Sequence, residues 1–197
     1  MQNNVFIMTK IPFLNVCKKR LAYDIGAINS RRFIINNMEY YEKLLSHQKK
    51  YKINYYLTPK EIFRTFSFTI FKNIIEQKGE CLGDKIWYLK KIIKGPLILF
   101  GSDIPDIKMA YIKNLFDILK YKDVVIGPSF DGGFWVIGFS NKKNIPYPFK
   151  DVRWSSSHTL EDLIKNLRNL NINYKISQKL RDIDIFEDYC DYVFRFR

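Results

Sequence analysis

Cysteine is scarce in this sequence, and the three present share no spacing that would hold a metal or a disulfide frame. Cys17, Cys81 and Cys190 are odd in number and far apart, so neither a disulfide frame nor a zinc site is indicated, and packing roles are predicted. Long apolar runs are also lacking, so no membrane-spanning segment is expected. The N-terminus enters the apolar run Val5–Met8 without a signal-peptide pattern. We therefore expect a cytoplasmic protein, and peripheral contact with the inner membrane surface stays open.

Basic residues are numerous, but no long block of lysine or arginine occurs. Lysine and arginine total 33 against 20 acidic residues, which gives a net charge of +13. Such a charge is compatible with nucleic acid, an anionic membrane or phosphorylated small molecules. The accompanying bias toward Ile, Asn, Tyr and Phe is typical of an AT-rich genome, and no nucleic-acid motif is present. We therefore predict no specific nucleic-acid partner.

With 47% hydrophobic residues, the chain can bury one core, and a single domain over residues 1–197 is predicted.

Short apolar runs alternate with amphipathic segments, a pattern typical of a layered α/β structure. The predicted strands are Val5–Met8, Ile53–Leu57, Leu97–Phe100, Val124–Ile126, Phe134–Phe139 and Tyr174–Ile176. Helical periodicity lies between them, over residues 34–45, 82–93, 112–119 and 160–170. The glycine pair after Asp131 is too short for the crossover that parallel strands need, so Phe134–Phe139 is predicted to run antiparallel to a neighbour. A mixed sheet is expected.

Two acids follow two of these predicted strands. Asp103 comes after Leu97–Phe100 and Gly101, and Asp131 comes after Val124–Ile126, just before Gly132 and Gly133. Open α/β sheets bind ligands at the carboxyl ends of their strands. The two carboxylates are therefore predicted to lie at one edge of the sheet, facing a cleft.

Cations follow the first predicted strand, and a second pair of acids lies near the C-terminus. Lysine and arginine in the segment Lys10–Arg20 could neutralise a phosphate, and acids facing them could hold a divalent metal on phosphate oxygens. Each element alone has a plainer explanation. The Lys-Lys-Arg run could be a solvated face, Asp182-Ile-Asp184 a helix cap, and the glycines simple turns. Together they favour a nucleotide diphosphate site.

The segment around Trp154-Ser-Ser-Ser-His158 does not have the pattern of a catalytic site. Thr159 and Asp162 have the spacing of a capping box for the helix that follows. His158 lies beside three serines in sequence, but a nucleophilic triad is assembled from separate elements, and the chain has no Gly-x-Ser-x-Gly elbow. A serine hydrolase is not expected.

Seven short motifs, in order along nearly the whole chain, resemble one family. They are Lys10-Ile-Pro12, Lys18-Lys-Arg20-Leu21, Leu82-Gly-Asp-Lys-Ile86, Gly101-Ser-Asp-Ile-Pro105, Gly127-Pro-Ser-Phe-Asp-Gly-Gly-Phe134, Trp154-Ser-Ser156 and Asp182-Ile-Asp-Ile-Phe-Glu-Asp188. The pattern resembles small bacterial glycosyltransferase-like proteins related to molybdenum-cofactor guanylyltransferases, including arsenosugar-biosynthesis glycosyltransferases. The chain departs from the pattern mildly, for example with Asn15 where a turn glycine is usual and Lys19 in place of threonine.

The resemblance implies the nucleotide-diphospho-sugar transferase fold called GT-A, a Rossmann-like, mixed but mostly parallel sheet sandwiched between helices. It also implies roles. Asp103 and Asp184 resemble the ligands of Mg²⁺ or Mn²⁺, with Asp182 left open as the second acid. The nucleotide and phosphate side is assigned to Lys10, Lys18, Arg20, Gln77, Gly83 and Gly101. The acceptor side is assigned to Asp131, Gly132, Gly133 and Trp154, with Asp131 as the catalytic group.

The predicted function is a metal-dependent glycosyltransferase that moves a sugar from a nucleotide-sugar donor to a small-molecule or lipid acceptor. A nucleotidyltransferase (guanylyl or uridylyl) is the alternative, since fold and metal site serve both reactions. Such enzymes usually carry a glycine-rich first loop, whereas residues 11–20 contain no glycine. A non-catalytic basic binding module is the third possibility. The sugar, base, acceptor, stereochemistry and oligomeric state are left open.

Overall fold

A computed structural model describes residues 2–12, 18–58 and 73–195. The elements follow the chain in the order β1 (Asn3–Lys10), α1 (Lys19–Ile25), α2 (Ala27–Ser46), β2 (Tyr51–Thr58), β3 (Ile74–Glu76), α3 (Leu82–Ile92), β4 (Leu97–Gly101), α4 (Met109–Ile118), β5 (Val124–Pro128), β6 (Phe134–Phe139), α5 (Thr159–Asn169), β7 (Tyr174–Ile176) and α6 (Phe186–Arg195). Asn15 and Cys17, singled out in the sequence, lie outside the described residues.

One seven-stranded sheet, in the order β3-β2-β1-β4-β6-β5-β7, contains all the described strands. Only β6 runs against its neighbours, pairing antiparallel with both β4 and β5, and the other pairs are parallel. The predicted antiparallel course of Phe134–Phe139 and the predicted mixed, mostly parallel sheet are confirmed. Because β6 opposes both β4 and β5, those two strands point the same way and end at the same edge.

Helices cover both faces of the sheet. Successive side chains of a strand point to opposite faces, so Val5 and Ile7 pack into the core formed with α2 and α4, while Phe6 packs into the core formed with α3 and α5. The central strand β1 is buried on both sides, which explains its continuous apolar run. Within the described residues, no helix is long and apolar enough to span a membrane.

Two elements have no clear signal in the sequence. The strand β3 is three residues long and lies at the edge of the sheet. The helix α1 is seven residues long, and its N-cap residue, Lys18, offers no side-chain cap and has a left-handed backbone conformation with φ of 46°. Neither the apolar periodicity nor a capping residue marks such short elements.

Candidate active site

The site lies where the strand order reverses. The chain moves from β1 outward to β2 and β3, then returns to place β4 on the other side of β1. The carboxyl ends of β1 and β4 therefore diverge and leave a crevice, the usual ligand position in open α/β sheets. A buried hydrogen bond of 2.8 Å from the Ser102 hydroxyl to that of Thr9 joins the two strand ends.

Side chains of α2 hold the loop that follows β4. The Asn37 amide donates to the Ser102 carbonyl at 3.1 Å. The fully buried Tyr41 hydroxyl donates to the Ile104 carbonyl at 2.9 Å and accepts from the Ile104 amide at 3.2 Å. Since buried polar groups that lose their partners cost free energy, these bonds fix the backbone on both sides of Asp103. The sequence marked Tyr41 only as part of an apolar helical stripe, so this supporting role was missed.

Gly101 is required by the position of Asp103. A Cβ atom built on Gly101 would overlap the Asp103 Oδ1 atom. The glycine thus allows the carboxylate to fold back over the end of β4 and face the crevice. This is a steric reason for the Gly-x-Asp pattern, separate from any contact with a nucleotide.

Lys18 joins the two acids predicted to hold a metal. Its ammonium lies 2.5 Å from the Asp103 carboxylate and also pairs with Asp184. The Lys18 side chain is largely buried, whereas 22% of the Asp103 side chain and 44% of the Asp184 side chain are exposed. Burial alone would lower the pKa of Lys18, but Asp103 and Asp184 outweigh it and raise this pKa above its ordinary value. The structure therefore gathers one predicted phosphate ligand and both predicted metal ligands at one point.

The segment that carries Asp182 and Asp184 is fixed to the same place by its backbone. The buried Ile183 donates its amide to the Asp103 carbonyl at 3.0 Å. Asp188, in the first turn of α6, accepts hydrogen bonds from the amides of Asp184 and Ile185, which precede that helix. These bonds fix the backbone beside Asp184, while the Asp184 carboxylate pairs with Lys18.

Asp182 lines the crevice beside Asp103. Its pKa is raised to about 6, first by burial and then by the charges of Asp103 and Asp131, with Lys18 opposing the shift. Asp131 follows β5, which ends at the same edge of the sheet as β4, the strand that precedes Asp103.

Asp131 is exposed and held by its own loop. Its Oδ1 atom accepts hydrogen bonds from the Ser129 hydroxyl and, at 2.9 Å, from the Gly133 amide. Gly132 has a φ of 88°, and a Cβ there would overlap the Ser157 carbonyl, so only glycine fits this turn. The two glycines therefore shape the loop that aims Asp131, and Ser129 is a supporting residue that the sequence did not reveal.

Aromatic side chains form a wall next to this loop. Trp154 packs against Phe134 and Phe149, with ring centroids 6.5 and 5.9 Å away. Gly83, in the first turn of α3, lies under the same wall, because a Cβ there would come within 2.6 Å of the Phe149 Cβ. Gly83 thus has a packing role. Trp154 lies beside the crevice, because it packs against Phe134, which lines the crevice.

The remaining predicted phosphate and nucleotide residues are more peripheral. Gln77 donates to the carbonyls of Thr9 and Tyr56, at 3.1 and 2.7 Å, and so ties the ends of β1 and β2 together. Lys10 ends β1, and Arg20 lies in α1, both exposed. Over the described residues, no ion pair links Lys10 or Arg20 to the acids of the crevice.

The predicted capping box at Thr159 and Asp162 is wrong. The N-cap of α5 is His158, which makes no side-chain cap. The Thr159 hydroxyl donates to the Arg153 and Ser156 carbonyls, and Asp162 binds the Arg153 guanidinium at 2.8 Å. A capping box occurs instead at α3, between Cys81 and Asp84. This gives Cys81 a capping role rather than the predicted packing role.

The donor set of the crevice suits a divalent ion that is shared with a substrate. Among the described residues, no group of three or more His, Cys, Asp or Glu side chains could hold a metal alone. Mg²⁺, however, is commonly bound by one or two carboxylates together with substrate phosphates. Asp103 and Asp184, which already bind one cation in the Lys18 ammonium, fit that arrangement.

Comparison with known proteins agrees with the architecture. A family model described as "Uncharacterized protein conserved in bacteria (DUF2064)" matches residues 57–156, just over half of the chain. No curated protein matches the chain.

Three solved structures share the fold. A candidate nucleotide-diphospho-sugar transferase from Desulfovibrio desulfuricans G20 matches with a TM-score of 0.88 and 20% identity, over 100% of this chain and 88% of that one. The 4-diphosphocytidyl-2C-methyl-D-erythritol synthase of Anaerococcus prevotii DSM 20548 matches with 0.60 and 11%, over 100% and 99%. Rv0371c of Mycobacterium tuberculosis H37Rv, in complex with manganese, matches with 0.51 and 11%, over 97% of each chain. At these identities the likeness shows the fold, and the predicted fold class is confirmed.

Proposed function

The chain belongs to the DUF2064 family of uncharacterized bacterial proteins, so its activity follows from its own site, and we propose that it is a metal-dependent glycosyltransferase. It would move a sugar from a nucleotide-sugar donor to a small-molecule or lipid acceptor. The observation that carries this proposal is the convergence of Lys18, Asp103 and Asp184 at the strand-order reversal, with Asp131 after a strand that ends at the same edge of the sheet.

The diphosphate side of the reaction is assigned to the strand ends of β1 and β4. Asp103 and Asp184 would hold Mg²⁺ or Mn²⁺, which when bound supplies positive charge to the diphosphate. Lys18 adds its own charge at the same place, and Arg20, exposed on α1, is assigned to the leaving phosphate. These charges favour breakage of the bond between the anomeric carbon and the diphosphate oxygen, which releases a nucleoside diphosphate.

Asp131 is assigned to the acceptor side. Its carboxylate is fixed by Ser129 and the Gly133 amide, yet the residue remains exposed. A carboxylate so placed can orient an acceptor hydroxyl and take its proton as the oxygen bonds to the anomeric carbon. Gly132, Gly133 and Trp154 would shape the space around the acceptor.

Nucleotidyl transfer remains the second candidate, because the synthase from Anaerococcus prevotii has the same fold. Two observations favour sugar transfer. The segment of residues 11–20 lacks glycine, and the much higher TM-score belongs to the candidate nucleotide-diphospho-sugar transferase. The resemblance of the sequence motifs to those of arsenosugar-biosynthesis glycosyltransferases also supports it. A catalytically silent binding module is disfavoured, since over the residues that the structure describes the carboxylates of Asp103 and Asp184 pair with Lys18 and cap no helix.

Two measurements test the proposal. In calorimetry, Asp103→Asn, which keeps the size of the side chain but removes its charge, should abolish the Mn²⁺ dependence of nucleotide-diphosphate binding while the protein stays folded. With an active donor and acceptor pair, Asp131→Asn should lower kcat by about 100-fold or more, the usual contribution of a general base, with little change in donor affinity. Pyrophosphate appearing in step with product, or full turnover by Asp131→Asn, would contradict sugar transfer as proposed.

A further inference from the structure

A groove on the outer side of the loop that carries Asp131 has no part in the chemistry described so far. It has a volume of about 610 Å³ and is lined by Phe130, Lys179, Arg181 and the α6 residue Phe194, among others. Phe130 directly precedes Asp131 in sequence, and Arg181 directly precedes Asp182. The groove therefore adjoins the acceptor side of the crevice through two shared segments of backbone.

Two cations converge on one exposed ring in this groove. The Lys179 ammonium lies 4.4 Å from the centroid of Phe130, and the Arg181 guanidinium carbon lies 4.8 Å from it. The Phe130 ring is 54% exposed. Each cation is attracted to the face of the ring, but the two positive charges repel each other. An anion bound between them would remove that repulsion.

The three side chains are held in fixed relation by backbone contacts. The Leu180 amide donates to the Pro128 carbonyl at 3.1 Å, and Leu180 forms a parallel bridge with Ser129. Arg181 also pairs with Asp188 at 2.9 Å through Nη1. A guanidinium has five N–H donors, so this pair orients Arg181 while leaving donors for a ligand. The cations are thus preorganised, which lowers the cost of binding.

We propose that Phe130, Lys179 and Arg181 form an anion-binding subsite that receives a phosphate group carried by the acceptor. The inference rests on the proposed function, because it places the anion beside the acceptor hydroxyl that Asp131 would activate. Lysine and arginine bind phosphate through charge-assisted hydrogen bonds.

The surroundings limit what this subsite can accept. Asp106 and Asp191 also line the groove, so the charges of its lining side chains balance, and an anion is favoured only beside the Phe130 ring, where both cations lie. Phe194, 78% exposed, adds an apolar surface nearby. A phosphate on a small polar acceptor and a phosphate on a lipid chain share the same recognition, and the length of the apolar part distinguishes them.

The test uses two probes, inorganic phosphate and n-octyl phosphate, followed by the backbone amide signals of the isotope-labelled full chain in NMR. We expect saturable shifts at residues 129–131 and 179–181. Lys179→Gln should weaken binding there by about tenfold, the effect of losing one charge-assisted bond. Lys175→Gln, an exposed lysine on β7 with the same change in net charge, should leave it unchanged. Phe130→Leu should also weaken binding, because it removes the ring that orients both cations.

The two probes distinguish a lipid acceptor from a small phosphorylated acceptor. Tighter binding of octyl phosphate than of inorganic phosphate assigns a lipid-like acceptor, and equal binding assigns a small phosphorylated one. No saturable shift at these residues with either probe, or equal weakening by Lys179→Gln and Lys175→Gln, would overturn the subsite. If the subsite binds phosphate but Asp103→Asn leaves nucleotide binding intact, the glycosyltransferase proposal fails and the subsite stands.

Discussion

Replacing Lys18 by methionine tests the electrostatic centre of the site. The substitution keeps the length of the side chain and removes the ammonium that pairs with Asp103 and Asp184. Removing one partner of a fully buried pair costs about 3–5 kcal/mol, and an exposed pair is worth about 0–1 kcal/mol. Because Lys18 is largely buried but Asp184 is nearly half exposed, we expect a loss of about 2 kcal/mol. For a chain of this size that lowers Tm by about 4–8 °C.

Differential scanning calorimetry in metal-free buffer measures the loss, and Mn²⁺ then tests its cause. Without the ammonium, Asp103 and Asp184 face each other without a counter-charge, so Mn²⁺ should bind Lys18→Met more tightly than the parent and restore part of the Tm. Lys19→Met is the matched control, since Lys19 is the adjacent lysine and is exposed. An unchanged Tm in Lys18→Met, or a loss that Mn²⁺ does not relieve, would refute the reasoning.

The same variant has a defined pH dependence. The folded-state pKa of Lys18 is raised above its ordinary value of 10.5. A group with a raised folded pKa binds its proton more tightly when folded, so its stabilisation is complete below pH 10.5 and is lost as pH rises toward the folded pKa. The stability difference between the parent and Lys18→Met should therefore be constant around neutral pH and shrink only above about pH 10.5.

Two further substitutions test the support of Asp103. Tyr41→Phe removes a fully buried hydroxyl that bonds both the amide and the carbonyl of Ile104, so it should cost about 2 kcal/mol in chemical denaturation, and an unchanged midpoint would contradict the structural role. Gly101→Ala places a methyl group against the Asp103 carboxylate, so calorimetry should show weaker binding of Mn²⁺ with nucleotide while the circular dichroism spectrum stays that of the parent. Unaltered metal binding would show that the carboxylate does not need the position seen here.

The sequence revealed the long elements because their signals are local. The stripe along α2 has helical periodicity, β4 and β5 are continuous apolar runs, and the short connection after Asp131 predicted the antiparallel course of β6. The edge strand β3 is defined by its pairing with β2 rather than by its own three residues. Helix α1 begins at a lysine in a left-handed conformation, which no cap preference predicts.

In the candidate site, too, some residues could be predicted from the sequence and others could not. The acids were visible because each follows a strand or a motif of fixed spacing. The contacts that position them were not, because Asn37 and Tyr41 resemble ordinary members of a helix. The capping error at Thr159 has a comparable cause. Asp162 has the spacing of a cap residue, but the Arg153 guanidinium, nine residues away, binds its carboxylate instead. Where the local spacing was compatible with more than one role, the tertiary partner of the side chain therefore determined the role that the residue has.

The ion pair between Lys18 and Asp184 joins positions 166 residues apart. Lys18 directly precedes α1, and Asp184 lies ten residues after the start of the last strand at Tyr174, so no contiguous fragment much shorter than the chain contains both. Contacts of such sequence separation form late and carry a large loop-closure cost. The candidate site is consequently a property of the completed tertiary structure, and a partly folded chain could have most of its sheet and yet lack the contact between Lys18 and Asp184.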